Sequence, residues 1–209
     1  MPWLPENVEA RLDRIESTDA IRQLVAKYCI ALDMRDLDAL CGLFPADVRV
    51  SRKARGRRAL KVWFDQTLRE QFSGTAHVTG NHIIEFDDAD HARGLVYSRN
   101  EHEAGSEWVI MTMVYWDLYE RVEGDWLFRR RLPLYWYATD LNAPPIGAEK
   151  MRWPGRDPYD GGYPDFFPSW KRFWSDDYAR DSDVPAPAER DAFLSRLAPE
   201  DDQVSVRVR

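Results

Sequence analysis

EWVIMTMVYWDLYERV, residues 107–122, is the stretch on which the fold turns. It is rich in β-branched and aromatic side chains, and alternate positions place large apolar groups on both sides. Trp108, Ile110, Val114 and Trp116 share one parity, and Val109, Met111, Met113 and Tyr115 the other. Successive side chains of a strand point to opposite faces, so this strand is covered on both. Turn signals bracket it at AGS (104–106) and EGD (123–125), and outside them HARGLVYSRNEHEA (91–104) and DWLFRRRLPLYWYATDL (125–141) have the same texture. TAHVTGNHIIEF (75–86) joins the series across the DDAD turn (87–90), which makes an antiparallel meander. One face of such a sheet can line an interior. The other calls for a partner, so a homo-oligomer, most simply a dimer joined through the outer sheet face, is expected.

Upstream the period changes. Helical spacing covers Asn7 to Ile15, Thr18 to Leu32, a short turn from Leu37 to Phe44 capped by Asp36, and residues 57–72, with a strand expected at VRVSRK (48–53). Helices first and a curved sheet second describe an α+β domain, with helices on one sheet face and a pocket between the long helix and the concave side. Trp126 and Phe128 are expected to fill the core beneath the helices. After about Asn142 neither period persists. Residues 1–141 are therefore expected to form the domain and 142–209 an extension. The stretch MRWPGRDPYDGGYPDFFPSW (151–170) is too aromatic for a disordered tail, and serves as a lid on the pocket, as an arm embracing a neighbouring subunit, or as a strap packed far from the mouth. The last twenty or so residues are expected to be loose.

Composition bounds the function. The net charge of -7 and pI near 5.2 argue against nucleic acid and anionic membrane surfaces, and the three arginines at 129–131 do not reverse that. No apolar run approaches the about 20 residues of a membrane span, and the N-terminus has no apolar signal core, so a cytoplasmic protein is expected. Cys29 and Cys41 fit reduced thiols. Nine Trp and nine Tyr exceed what packing demands and suggest an aromatic-lined cavity for a small hydrophobic or aromatic molecule.

Within YCIALDMRD (28–36), Asp33 falls at the edge of the apolar stripe formed by Ile21, Leu24, Val25, Tyr28, Cys29 and Leu32. There it is either a carboxylate at the negative end of a helix, with its pKa raised, or a residue that solvates the turn before Asp36. Ser98, Asn100 and His102 share one strand face. His82 has the opposite parity to His77 and reads as structural. His77, His82 and His102 lack the spacing of a standard zinc motif, so neither a metal nor another cofactor is expected.

Three stretches, RIESTDAIRQLVAKYCIALDMRDLDALCGLF (14–44), GTAHVTGNHIIEF (74–86) and LYERVEGDWLFRRRLPLYWY (118–137), resemble the signatures of the SnoaL-like branch of the NTF2-like cone fold. That group includes scytalone dehydratase, bile acid 7α-dehydratase, hexachlorocyclohexane dehydrochlorinase, ketosteroid isomerase-like enzymes and polyketide cyclases, and also members with no catalysis. The resemblance implies that Asp33 and His77 form a catalytic dyad, the carboxylate orienting a histidine that removes a proton next to a leaving group. It also implies a site role for Tyr28, and places His102 at the interval of a second histidine. Asn100 stands where one dehydratase has an aspartate, and Arg52 where another has a tyrosine, which suggests a pocket for an anionic oxygen. The expected activity is a dehydratase-type lyase. The same dyad would serve an isomerase or cyclase, and the fold also hosts non-catalytic binding proteins.

Overall fold

Four long strands form one antiparallel sheet in the order β1 (Gly74–Phe86), β2 (His91–Ala104), β3 (Glu107–Val122) and β4 (Asp125–Asp140). They are seen in a computed structural model that describes residues 5–180 and 193–197. The expected meander is present, with β3 fully paired on both sides. Register shifts at Thr79/His82, Thr112/Met113 and Leu118/Tyr119 bend the sheet, because a bulge adds a residue to one strand and increases its twist.

The concave face packs under three helices, α1 (Val8–Asp33), α2 (Leu37–Gly42) and α3 (Arg57–Gln71). Residues 8–33 form one helix where two were expected. The Thr18 hydroxyl donates to the carbonyl of Arg14 at 2.8 Å, so it bonds back into the helix and does not break it. Asn7 caps α1 and Asp36 caps α2, each side chain accepting from an amide three residues on. Val109, Met111, Met113, Tyr115, Trp126 and Phe128 pack from the sheet against Ile21, Leu24, Val25, Tyr28, Leu40 and Phe64. The strand expected at 48–53 is a turn. Ser51 Oγ accepts from the amides of Lys53 and Ala54, and a single bridge, Arg49 to Arg55, remains of the pairing.

The extension divides its work. Residues 150–152 add to the edge of β4 through Ala138 N–H to Lys150 O (3.0 Å) and Arg152 N–H to Ala138 O (2.7 Å), and Met151 pairs in turn with Tyr159. Beyond Tyr159 the chain crosses to the outer face of the sheet. There Tyr163, Phe167 and Leu194 bury Leu95, Val114, Trp116 and Leu134, and the Tyr163 hydroxyl donates to that of Tyr97. The apolar face for which a partner subunit was expected is thus largely covered by this chain itself, with Trp108, 42% exposed, left at one end. Of the expected loose end, only Phe193–Leu197 is described, as a short helix; the rest lies outside the described residues.

Gly161 is the crossing point. A Cβ there would fall on the carbonyl oxygen of Trp136 and within 2.7 Å of Met151 Cγ. Gly161→Ala is therefore expected to loosen the extension at a cost of about 1–3 kcal/mol, typical of forcing atoms into a packed site. Limited proteolysis should then cut between 142 and 180 faster than in the parent. Equal cutting rates would show that the close approach is not needed.

Candidate active site

Asp33 is the last residue of α1, and the next turn is closed by Arg35, which takes a left-handed φ of 59°. This ends the helix with the carboxylate facing β1. Thr75 and His77, alternate residues of β1 and so on one face, reach it together. Asp33 Oδ1 accepts from Thr75 Oγ1 (2.9 Å) and lies 2.7 Å from His77 Nδ1, while Oδ2 accepts from the His77 backbone amide (2.8 Å). Arg35 donates in turn to Thr75 Oγ1 (2.7 Å) and to the carbonyl of Leu32, locking the hydroxyl that orients the carboxylate. The side chains of His77 and Asp33 are only 6% and 10% exposed.

The geometry resolves the two readings of Asp33 in favour of a desolvated, hydrogen-bonded carboxylate, but corrects the expected pKa. Burial is the largest single influence and raises it, yet the bonds from the His77 ring and amide, the imidazole charge and the Thr75 bond together hold the carboxyl below its ordinary value. An ionised carboxylate only accepts, so the bond to Asp33 calls for a proton on His77 Nδ1.

His77 lines a cavity of about 410 Å³. Its walls are aromatic and thioether side chains, among them Tyr28, Trp63, Phe64, Phe72, Tyr115 and Tyr135 with Met111 and Met113. Tyr28 borders it from α1, edge-on to Tyr115 at 6.0 Å. His102 also lines it, its ring 5.9 Å from that of His77 and held against Phe72 (4.6 Å) and Trp153 (5.5 Å). Its Nδ1 is buried and has no hydrogen-bond partner among the described residues.

Asn100 stands opposite His77 in the β1–β2 pair but is fully buried and not among the cavity-lining residues; its Oδ1 accepts from Ser98 Oγ. Arg52 is not brought to the site. It is exposed at the tip of the Ser51 turn, away from the cavity walls. His82 lies on the inner face, not the outer one, because the bulge between Thr79 and His82 reverses its parity; there it meets the Tyr119 hydroxyl at 3.2 Å. Among the described residues no group of three or more His, Cys, Asp or Glu is gathered as metal ligands would be. No described helix is long and apolar enough to cross a membrane.

Several residues were missed. Arg131 pairs with Asp117 through Nε (3.0 Å) and Nη2 (2.9 Å), their side chains 3% and 0% exposed, and its guanidinium lies over the rings of Tyr28 (4.3 Å) and Tyr115 (4.0 Å). The readable signal was Asp117, a carboxylate at inner parity between Tyr115 and Tyr119, which needs a buried partner. Thr75 and Arg35, and Met151, Trp153, Arg156 and Tyr159 from the extension, complete the site.

Burial pushes His82 and His102 down to about 4 from an ordinary 6.5, with the charges of Arg131 and Arg22 adding to it at the first and that of His77 at the second. As pH falls from 6.5 towards 4, the unfolded chain takes up protons that the folded one refuses, so stability falls with it. Each histidine contributes up to about 1.4 kcal/mol per pH unit. His82→Gln should flatten the urea-unfolding free energy across that window by one such slope. An unchanged slope would mean that His82 is protonated as readily folded as unfolded.

A family described as SnoaL-like domain matches residues 13–132. Among solved structures, LinA is similar at 27% identity, over 65% of this chain and 99% of its own, with a TM-score of 0.59. A type 2 LinA hexachlorocyclohexane dehydrochlorinase follows at 25%, 66% and 99%, with a TM-score of 0.58. A provisionally assigned scytalone dehydratase from Novosphingobium aromaticivorans is similar at 26%, 69% and 97%, with a TM-score of 0.55. No curated protein matches the chain in sequence.

Proposed function

The chain belongs to the SnoaL-like domain family, and on that premise we propose that it is a cofactor-independent lyase, eliminating water or another small group from an aromatic or polycyclic molecule. The observation that carries the reading is the 2.7 Å bond from His77 Nδ1 to Asp33, made by a histidine that lines an aromatic cavity. Two of the similar proteins are named for eliminations, a dehydrochlorination and a dehydration.

In this reading His77 Nε2 takes a proton from a substrate carbon. The C–H electron pair becomes the new C=C bond, and the leaving group departs from the neighbouring carbon with its own pair. The imidazolium that forms is stabilised by Asp33, whose carboxyl stays ionised. Tyr28 and Tyr115 act as neutral hydrogen-bond donors to the departing or enolic oxygen. Burial pushes both phenols up, only partly offset at each by the charge of Arg131, so neither ionises at working pH. His102, held neutral by burial, is a further contact for a polar substituent. The cavity lining is mostly apolar, a setting in which fixed dipoles meet less competition from water.

Incubating the protein in D2O with a panel of cyclic compounds that carry a leaving group beside an acidic C–H tests this. A lyase yields products lighter by the eliminated acid or water. An isomerase or cyclase, using the same proton abstraction, gives products with deuterium on carbon and no group lost. Compounds that bind yet show neither change would make the protein a ligand-binding member of the family.

A further inference from the structure

Residues 48–64 contain seven lysines and arginines and no aspartate or glutamate, in a chain whose net charge is -7. Lys61 is answered by Asp38 at 2.6 Å, and Arg57 donates to the carbonyl of Phe44. The side chains of Arg52, Lys53 and Arg58 make no ion pair or hydrogen bond among the described residues. Asp47, the carboxylate that feels Arg55, is already held by Arg129 at 2.6 Å. Arg55 and Arg58 line an open groove of about 550 Å³ between the Ser51 turn and α3. The rest of its lining is mostly apolar. Val50 and Ala54 come from the turn, and Ala59, Val62 and Trp63 from α3, the last two about half exposed.

A surface of the opposite sign lies on the N-terminal half of α1. Val8, Leu12 and Ile15 have the i, i+4 and i+7 spacing of one helix face, and all three are more than half exposed. Asp19 continues this stripe, Glu9 and Glu16 border it on one side, and Arg11 stands on the other. The side chains of Glu16 and Asp19 make no ion pair or hydrogen bond among the described residues. An apolar row left uncovered on a soluble protein marks a contact surface. Its partner in size is the row Ala59, Val62 and Gln66 on α3, which spans the same seven positions, about 10 Å of helix.

We infer that the N-terminal half of α1 of one copy of this chain docks in the groove along α3 of a second copy, with Val8, Leu12 and Ile15 on Val62 and Trp63, and Glu16 and Asp19 beside Arg55 and Arg58. Groove against groove would set cations face to face, and helix against helix carboxylates, so the contact joins unlike surfaces. Each copy then offers one of each, and copies add head to tail until a ring closes. A membrane surface is a poorer occupant, because the apolar lining is concave and the whole chain repels anionic lipid. The homo-oligomer expected through the outer sheet face is thereby moved to the helices. Trp63 also borders the cavity of His77, so the neighbour's helix covers the outer side of a residue that walls it. The contact does not depend on the elimination reading.

Sedimentation of the full chain tests the inference. The parent should associate with a dissociation constant of about ten to a hundred micromolar, as befits a contact two helical turns long, and added salt should weaken it. Two charge reversals, R55E/R58E in the groove and E16K/D19K on the helix, should each weaken association at least about tenfold by setting like charges face to face. All four positions are exposed, so circular dichroism should match the parent. Mixed in equal amounts, the two variants should pair with each other, because the acidic groove of one meets the basic helix of the other. A parent that stays monomeric up to the millimolar range, or variants that associate as the parent does, would overturn the inference. A mixture that does not associate would also overturn it, and would leave the groove to an acidic partner other than this chain.

Discussion

Replacing His77 by Gln should lower turnover by about three orders of magnitude, within the range that general-base catalysis contributes, while leaving the fold and ligand binding intact. Glutamine occupies similar space and can hydrogen-bond Asp33, but it has no basic nitrogen to offer the cavity. Asp33→Asn should cost about a hundredfold to ten-thousandfold for a different reason. The amide can still bond Nδ1, but it neither fixes the tautomer nor stabilises the imidazolium. Because the dyad works as a unit, the double variant should be scarcely worse than the weaker single one. Steady-state rates on a substrate found in the D2O panel, with circular dichroism as the check on folding, decide the matter. If H77Q keeps more than about a tenth of the parent rate, the proton is taken by another group.

The largest stability effect is expected at Asp117. Its partner Arg131 is 3% exposed and cannot shed its proton, so Asp117→Leu would leave a buried cation bonded to nothing of opposite charge. Breaking such a pair costs about 3–5 kcal/mol. Arg131→Leu should cost less, because burial already pushes the Asp117 carboxyl up against the pull of Arg131 and Tyr119, and without the arginine it can take up a proton. The double variant D117L/R131L should recover most of the loss, since two apolar side chains need no partner. Urea unfolding measures all three. A loss below about 1 kcal/mol in D117L would show that the guanidinium finds water or another acceptor.

The helices, the meander and the position of the turns are legible in the chain, because each rests on a period or a turn residue that acts over a few positions; the meeting of Asp33 with His77, 44 residues apart, follows only from the resemblance to the SnoaL-like group. What escaped rests on long-range geometry. Counting along the strand gives His82 the opposite parity to His77, and a single bulge between Thr79 and His82 returns it to the same face. The pKa of Asp33 was expected to rise with burial at a helix end, but three donors from β1, more than forty residues away, reverse the sign. Arg131 enters the sequence reading only as one of three arginines that do not reverse the acidic balance, although its partner Asp117 stands at inner parity on β3. The extension divides between the two faces of the sheet: Trp153 and Tyr159 border the cavity, and Tyr163 and Phe167 lie on the opposite face. No periodicity could have assigned them, since the division depends on where the chain slips past the edge of β4 at Gly161.

The account depends most on the state of one imidazole. Long-range nitrogen–proton NMR of the full-length protein at neutral pH reports which ring nitrogen of His77 carries the proton, with H77Q supplying the assignment. The expected result is a proton on Nδ1, slowed in exchange by its bond to Asp33, with Nε2 bare, and loss of that single tautomer in Asp33→Asn. A His77 protonated on Nε2, or one whose tautomers interconvert freely in the parent, would contradict the central claim that Asp33 holds the histidine as a base facing the cavity.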